Sequence, residues 1–223
     1  MTLIRKLFKR RPQGDHGLTL AELAVTMLIL GILGTALVTS VKVMGKAIAR
    51  EQTKGTSLDI ARLGMNRMSK SVRAGTELIK IDGSTDPAFV EIAPEKVTLY
   101  ASFGSTPTKM SYYVNTNREL VEQTWSSTGT GTLADQPPYT FTTTPRTTVV
   151  ASKITAGTSV PLFKFLDTDG VALTTQTSTS TAITSLVRQV DITLDVNSDP
   201  SRGAPSAVLN ESIVLPNLGV LKR

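Results

Sequence analysis

Leu18–Val41 reads LTLAELAVTMLILGILGTALVTSV. This run of 24 residues carries one charged side chain, Glu22. As an α-helix it would extend about 36 Å at ~1.5 Å per residue. Roughly 20 apolar residues cross the hydrocarbon core of a bilayer. The run is therefore long enough to span, and it exceeds the roughly 7–15 apolar residues of a secretory signal. No Ala-x-Ala-like cleavage site follows it before Lys42 and Lys46. The stretch reads as a helix kept in the membrane.

On its amino-terminal side lie Arg5, Lys6, Lys9, Arg10 and Arg11, opposed only by Asp15. The chain of 223 residues has a net charge of +6, and the first 17 residues hold +4 of it. The remaining chain is close to neutral and shows no basic stripe interleaved with aromatics, so the sequence offers no direct evidence for nucleic-acid binding. A basic block beside an apolar helix instead fits a cytoplasmic topology signal. There is no cysteine, which excludes disulfides, thiolate metal sites and a cysteine nucleophile.

Glu22 is the exception in the apolar run. A carboxylate inside a membrane helix is costly and commonly marks function. In the first turn and a half of the helix, it could also rest among lipid headgroups. The surrounding residues bear on that choice. Gly17-Leu18-Thr19-Leu20-Ala21-Glu22-Leu23, behind a basic leader and ahead of a long apolar helix, resembles the prepilin cleavage motif of type IV pilins, pseudopilins and competence pilins. One position departs from the commoner pattern: Leu18 stands where Phe or Met is more frequent. The resemblance implies that a prepilin peptidase cuts after Gly17 and that the new amino group of Leu18 is methylated. It places Glu22 fifth in the mature chain, where the family has its glutamate. A carboxylate there would pair with a free amino terminus and set the axial register of an incoming subunit, since an unpaired ion in an apolar bundle is expensive.

Carboxy-terminal to Val41 the helix is expected to continue. Leu58, Ala61, Met65, Met68 and Val72 recur at spacings of three and four, which defines one face. The charged residues Lys54, Asp59, Arg62, Arg67, Lys70 and Arg73 fall largely elsewhere. Gly45, Gly55 and Gly64 weaken this helix without forbidding it, and Ala74-Gly75-Thr76 is a plausible stop. Two heptads are too short for a coiled-coil seam, so the stripe is read as packing on a following sheet.

From about Phe89 the pattern becomes alternating. Strands are expected over Lys96–Phe103, Lys109–Val114, Glu119–Trp125, Thr147–Ile154, Leu162–Leu166, Leu186–Val196 and Ala207–Leu215, with a hairpin at Asn115–Arg118. The clearest is the stretch that places Val190, Ile192, Leu194 and Val196 on one face. Ser126–Pro138, Thr174–Thr184 and Asn197–Pro205 read as exposed loops. The Thr and Ser clusters in them could carry O-linked sugars, although plain soluble loops are the simpler reading.

Familiar reactive groupings find little footing. His16, the single histidine, lies in the leader, so a processed chain would have none for a Ser/His/Asp triad or a histidine metal site. Asp167-Thr168-Asp169-Gly170 begins like a calcium loop, but the following residues bring no further acid. Gly129-Thr130-Gly131 lacks the lysine and flanking elements of a P-loop.

The expected fold is α+β: a long N-terminal helix, membrane-spanning in its first half and amphipathic in its second, packed on a C-terminal antiparallel β-sheet domain, as in pilins. The expected parts are a removed leader (1–17), a transmembrane or filament-core helix (18–41), an amphipathic continuation (42–75) and a β-rich extracytoplasmic domain (76–223). The resemblance implies a structural, non-enzymatic minor subunit of a pilus or type II secretion pseudopilus, similar in size and pattern to pseudopilin J. No cofactor or metal is expected. Implied partners are other pilin or pseudopilin subunits, the prepilin peptidase, the assembly platform and motor, and the cytoplasmic membrane. The alternative is an unprocessed single-pass anchor carrying an extracytoplasmic binding module.

Overall fold

The structure, a computed structural model, describes residues 19–80, 84–104, 106–129, 138–155, 160–173, 177–203, 205–215 and 218. It is α+β. Helix α1 (Leu20–Arg73, 54 residues) precedes a set of antiparallel strands. These are β1 (Leu78–Ile79), β2 (Thr85–Asp86), β3 (Phe89–Ala93), β4 (Lys96–Ser102), β5 (Pro107–Val114), β6 (Leu120–Trp125), β7 (Ser127–Gly129), β8 (Tyr139–Phe141), β9 (Arg146–Ala151) and β10 (Phe163–Leu166). A short helix α2 (Thr181–Thr184) leads into β11 (Gln189–Val196) and β12 (Ala207–Val214). By contacts the chain divides into two units, one ending at Ile48 and the other Ala49–Arg223, and α1 runs through the boundary.

In the first unit, every described residue is exposed, Leu20 and Leu30 at 86% and 67%. An 18-residue window of this part has a mean hydropathy of 2.1, and none of that window is buried. The helix is long and apolar enough to cross a membrane, which makes it a candidate span. Its hydroxyls are satisfied within the helix: Thr26, Thr35 and Thr39 donate to the carbonyls of Leu23, Ile32 and Thr35 at 2.8 Å. Internal satisfaction of this kind is what an apolar medium demands of polar groups.

In the second unit, the α1 residues from Ala49 onward lie on the sheets. Ala61, Met65, Met68 and Val72 are buried, Leu58 is half-buried, and Arg62, Asn66, Lys70 and Arg73 are exposed. Full burial of a large apolar side chain contributes about 1.5–3 kcal/mol. The face is also polar in places. Thr53 and Ser57 are buried and anchor the connection after β11: Ser198 Oγ donates to the Thr53 carbonyl at 3.1 Å, and its N–H donates to Ser57 Oγ at 3.0 Å. Gly64 lies close against the strands. A Cβ there would stand 3.0 Å from Leu194 Cδ2 and 3.1 Å from Ala151 Cβ.

The main sheet has the order β3-β4-β5-β6-β9 and a second has β10-β11-β12. They meet where β9 ends: Ile154 bridges to Val196, and Thr155 N–H donates to the Asp195 carbonyl at 2.8 Å. The inward residues Val190, Ile192, Leu194 and Val196 are fully buried, as their alternation requires. The expected hairpin joins β5 to β6. Asn115 N–H donates to the Glu119 carbonyl at 2.9 Å, and Arg118 takes a positive φ of 58°.

Three stretches read as loops contain short regular pieces. Ser126–Pro138 includes β7, which pairs with β8; Thr174–Thr184 includes α2; Asn197–Pro205 includes a 3-10 turn, Pro200–Arg202. Runs of three or four residues rich in Thr and Ser hold their shape through tertiary pairing, so no periodicity announces them.

Candidate functional site

The described chain opens at Thr19, and the first turn of α1 is built around it. Its carbonyl accepts the N–H of Leu23 at 3.0 Å, the first intrahelical bond. Its Oγ1 accepts the N–H of Glu22 at 3.2 Å. Thr19 is thus the N-cap and Glu22 the third helical residue. Thr-x-x-Glu is the pattern of a capping box, in which the hydroxyl and the carboxylate satisfy free N–H groups at a helix start. The helix dipole also favours a negative charge in this turn. The sequence carries this signal as a Thr three residues before a Glu at the head of an apolar run, although the apolar setting of Glu22 alone does not point to Thr19.

Glu22 is exposed and makes no ion pair among the described residues. A carboxylate held at the head of a 54-residue helix by its backbone position, with no partner for its oxygens among the described residues, is chemically an acceptor for a cation. Gly17 and Leu18, expected to flank the cleavage point, lie outside the described residues, as does His16.

A second polar centre sits between α1 and the main sheet. Tyr112 is fully buried and its hydroxyl donates to Glu122 Oε2 at 2.6 Å, with Ser71 Oγ 2.8 Å away. Arg67 reaches the other Glu122 oxygen at 3.3 Å. Burial, followed by the bond to Glu122, pushes the Tyr112 phenol far above its ordinary value of 10.0. On β12, Glu211 accepts from Ser69 and from Arg73, the latter at 2.9 Å. Its partial burial acts upward, but the Ser69 and Arg73 bonds together hold its carboxyl below the usual value. Both centres fasten α1 to strands.

Asp167 forms a turn after β10. Its Oδ1 accepts the N–H groups of Asp169 and Val171 at 2.9 and 2.8 Å, and Gly170 has φ 76°. These two bonds close the turn. Among the described residues, no three His, Asp or Glu side chains gather in a way that could hold a metal. Gly129 ends β7, while Thr130 and Gly131 lie outside the described residues. An open groove of about 480 Å³ lies at the carboxy end of α1, beside Arg73, Thr76, Glu77, Thr85 and Leu218. Arg73 is already committed to Glu211 there.

The chain matches no protein-family model, and no curated protein matches it.

Proposed function

We propose that the chain is a minor pilin or pseudopilin, a structural subunit of a type IV pilus-like or type II secretion filament. The observation that carries this reading is the head of α1. A capped first turn bearing Glu22 opens an exposed apolar helix, and its continuation lies on an antiparallel sheet. The prepilin-like motif Gly17–Leu23 and the basic leader support it from the sequence.

In this reading the apolar part of α1 holds the subunit in the cytoplasmic membrane before assembly and in the filament core afterwards, with the β-domain extracytoplasmic. Head-to-tail contacts that do not close generate a helical filament. Prepilin peptidase, other subunits, the platform and the motor are the partners. Determining the amino terminus of the protein taken from membranes tests the proposal. Methylated Leu18 is the expected result, and an intact Met1 would favour the unprocessed anchor. Replacing Gly17 with a bulky residue is expected to leave a larger, uncut chain.

A further inference from the structure

We infer that the outer edge of β12 is a docking edge for the β12 of a second copy of this chain. The β11–β12 ladder is regular over eight pairs, from Gln189↔Val214 to Val196↔Ala207. Leu215 N–H donates to the Arg188 carbonyl at 2.9 Å just beyond it. Bonding in an antiparallel pair alternates. The N–H and C=O groups of Ala207, Leu209, Glu211 and Ile213 therefore point to β11, and those of Val208, Asn210, Ser212 and Val214 point away from it. These last four residues are exposed, and their backbone groups bond to nothing among the described residues.

The other margins are occupied or guarded. Ile92 on β3 exchanges two bonds with Ser178, at 2.9 and 2.8 Å. Leu173 N–H caps the Phe165 carbonyl on β10 at 2.9 Å. β9 follows Pro145, begins with Arg146 and carries a register shift opposite Leu120/Val121. Proline, charge and irregularity keep edges from pairing. From Ala207 to Val214 there is no proline, lysine or bulge. The single charge, Glu211, is on the opposite face and is held by Ser69 and Arg73.

What fits such an edge is an extended strand. The outward order Val208, Asn210, Ser212, Val214 is self-complementary. Antiparallel to itself, it sets Val208 against Val214 at both ends and Asn210 against Ser212 in the middle, each as a hydrogen-bonded pair. Leu209 then faces Ile213 on the inner side. Glu211 meets its own copy, and each carries Arg73 as counter-charge. This inference does not depend on processing or on filament formation.

The absence of cysteine from the chain makes the test clean. Full-length chains bearing Asn210→Cys and Ser212→Cys are to be co-expressed, and their membranes oxidised mildly. The two Cα atoms would be about 5.5 Å apart, within disulfide reach, whereas 210 and its own copy fall on the diagonal at about 7–8 Å. The expected result is a species of twice the chain mass from the mixed pair and much less from either chain alone. Adding Val214→Pro, whose lost N–H faces outward and leaves β11 pairing intact, is expected to remove that species. Equal yield from Val171→Cys, which is exposed on the turn after β10 and off the β12 edge, would overturn the inference. So would no doubled species, or a cross-link to a different protein.

Discussion

Glu22 holds the third position of a capped helix, and that fixes what its loss would do locally. Forfeiting the favourable dipole interaction costs about 0.3–1 kcal/mol. An acidic residue opposes membrane insertion by about 2.5–3.5 kcal/mol at a helix centre. Glu22→Ala is therefore expected to insert at least as well as the parent and to be cut normally. Entry into the proposed filament would differ if Glu22 is paired there, since losing one partner of a buried ion pair typically costs about 3–5 kcal/mol. At about 1.4 kcal/mol per tenfold, incorporation is expected to fall by roughly two to four decades. Quantifying the variant in sheared filaments, with no other copy present, checks this; equal incorporation would reduce Glu22 to an interfacial residue. Tyr112 offers a second test. Tyr112→Phe strips Glu122 of its shortest bond, and an unsatisfied buried acceptor costs about 1–3 kcal/mol. The pH dependence has a definite sign. The unfolded tyrosine loses its proton near 10.0 while the folded one keeps it. Above that pH the unfolded chain binds fewer protons, so stability falls by about 1.4 kcal/mol per unit. Tyr100, whose phenol is also raised by burial and by Asp86, adds a smaller part. Urea melts on either side of pH 10 are expected to show a steep alkaline loss in the parent and a flatter one in Tyr112→Phe.

Within α1, two glycines look alike in sequence and differ in place. Nothing lies within 4 Å of a Cβ at Gly55, so Gly55→Ala is expected to stabilise by about 1 kcal/mol through helix propensity. At Gly64 a side chain meets Leu194 and Ala151. Gly64→Val is expected to destabilise by about 1–3 kcal/mol through overpacking. Thermal melts of the two variants should move in opposite directions. The amphipathic stripe from Leu58 to Val72 and the alternation in β11 were legible because each is set by local period. The tightness at Gly64 was not, because it comes from Ala151 and Leu194, which are far along the chain on other strands. Glu122 was read simply as part of a strand. The register that turns it inward depends on its pairing with Tyr112, which only the assembled sheet supplies.

Taken whole, the region from Ala49 onward carries the core, the polar clasps and both large sheets. A chain shortened to begin at Ala49 is expected to be soluble and to give mixed helix and sheet by circular dichroism; a soluble but disordered product would contradict the assigned core. The sequence made the fold class readable because an apolar helix, a stripe and period-two strands follow in order. Glu22 stands out in the sequence through its apolar setting, whereas Thr19, whose hydroxyl and carbonyl accept backbone N–H groups, does not. The clasps on α1 reach far along the chain. Ser57 to Ser198, Ser69 to Glu211 and Arg73 to Glu211 span 141, 142 and 138 residues. Contacts so distant in sequence slow folding, since the intervening chain must be closed first. The amphipathic end of α1 is made early, and its partner Glu211 emerges from the ribosome 142 residues after Ser69 and 138 after Arg73. Until β12 arrives, Ser69 and Arg73 lack Glu211, so a premature stop before Ala207 is expected to leave α1 unclasped at that end and the chain prone to degradation.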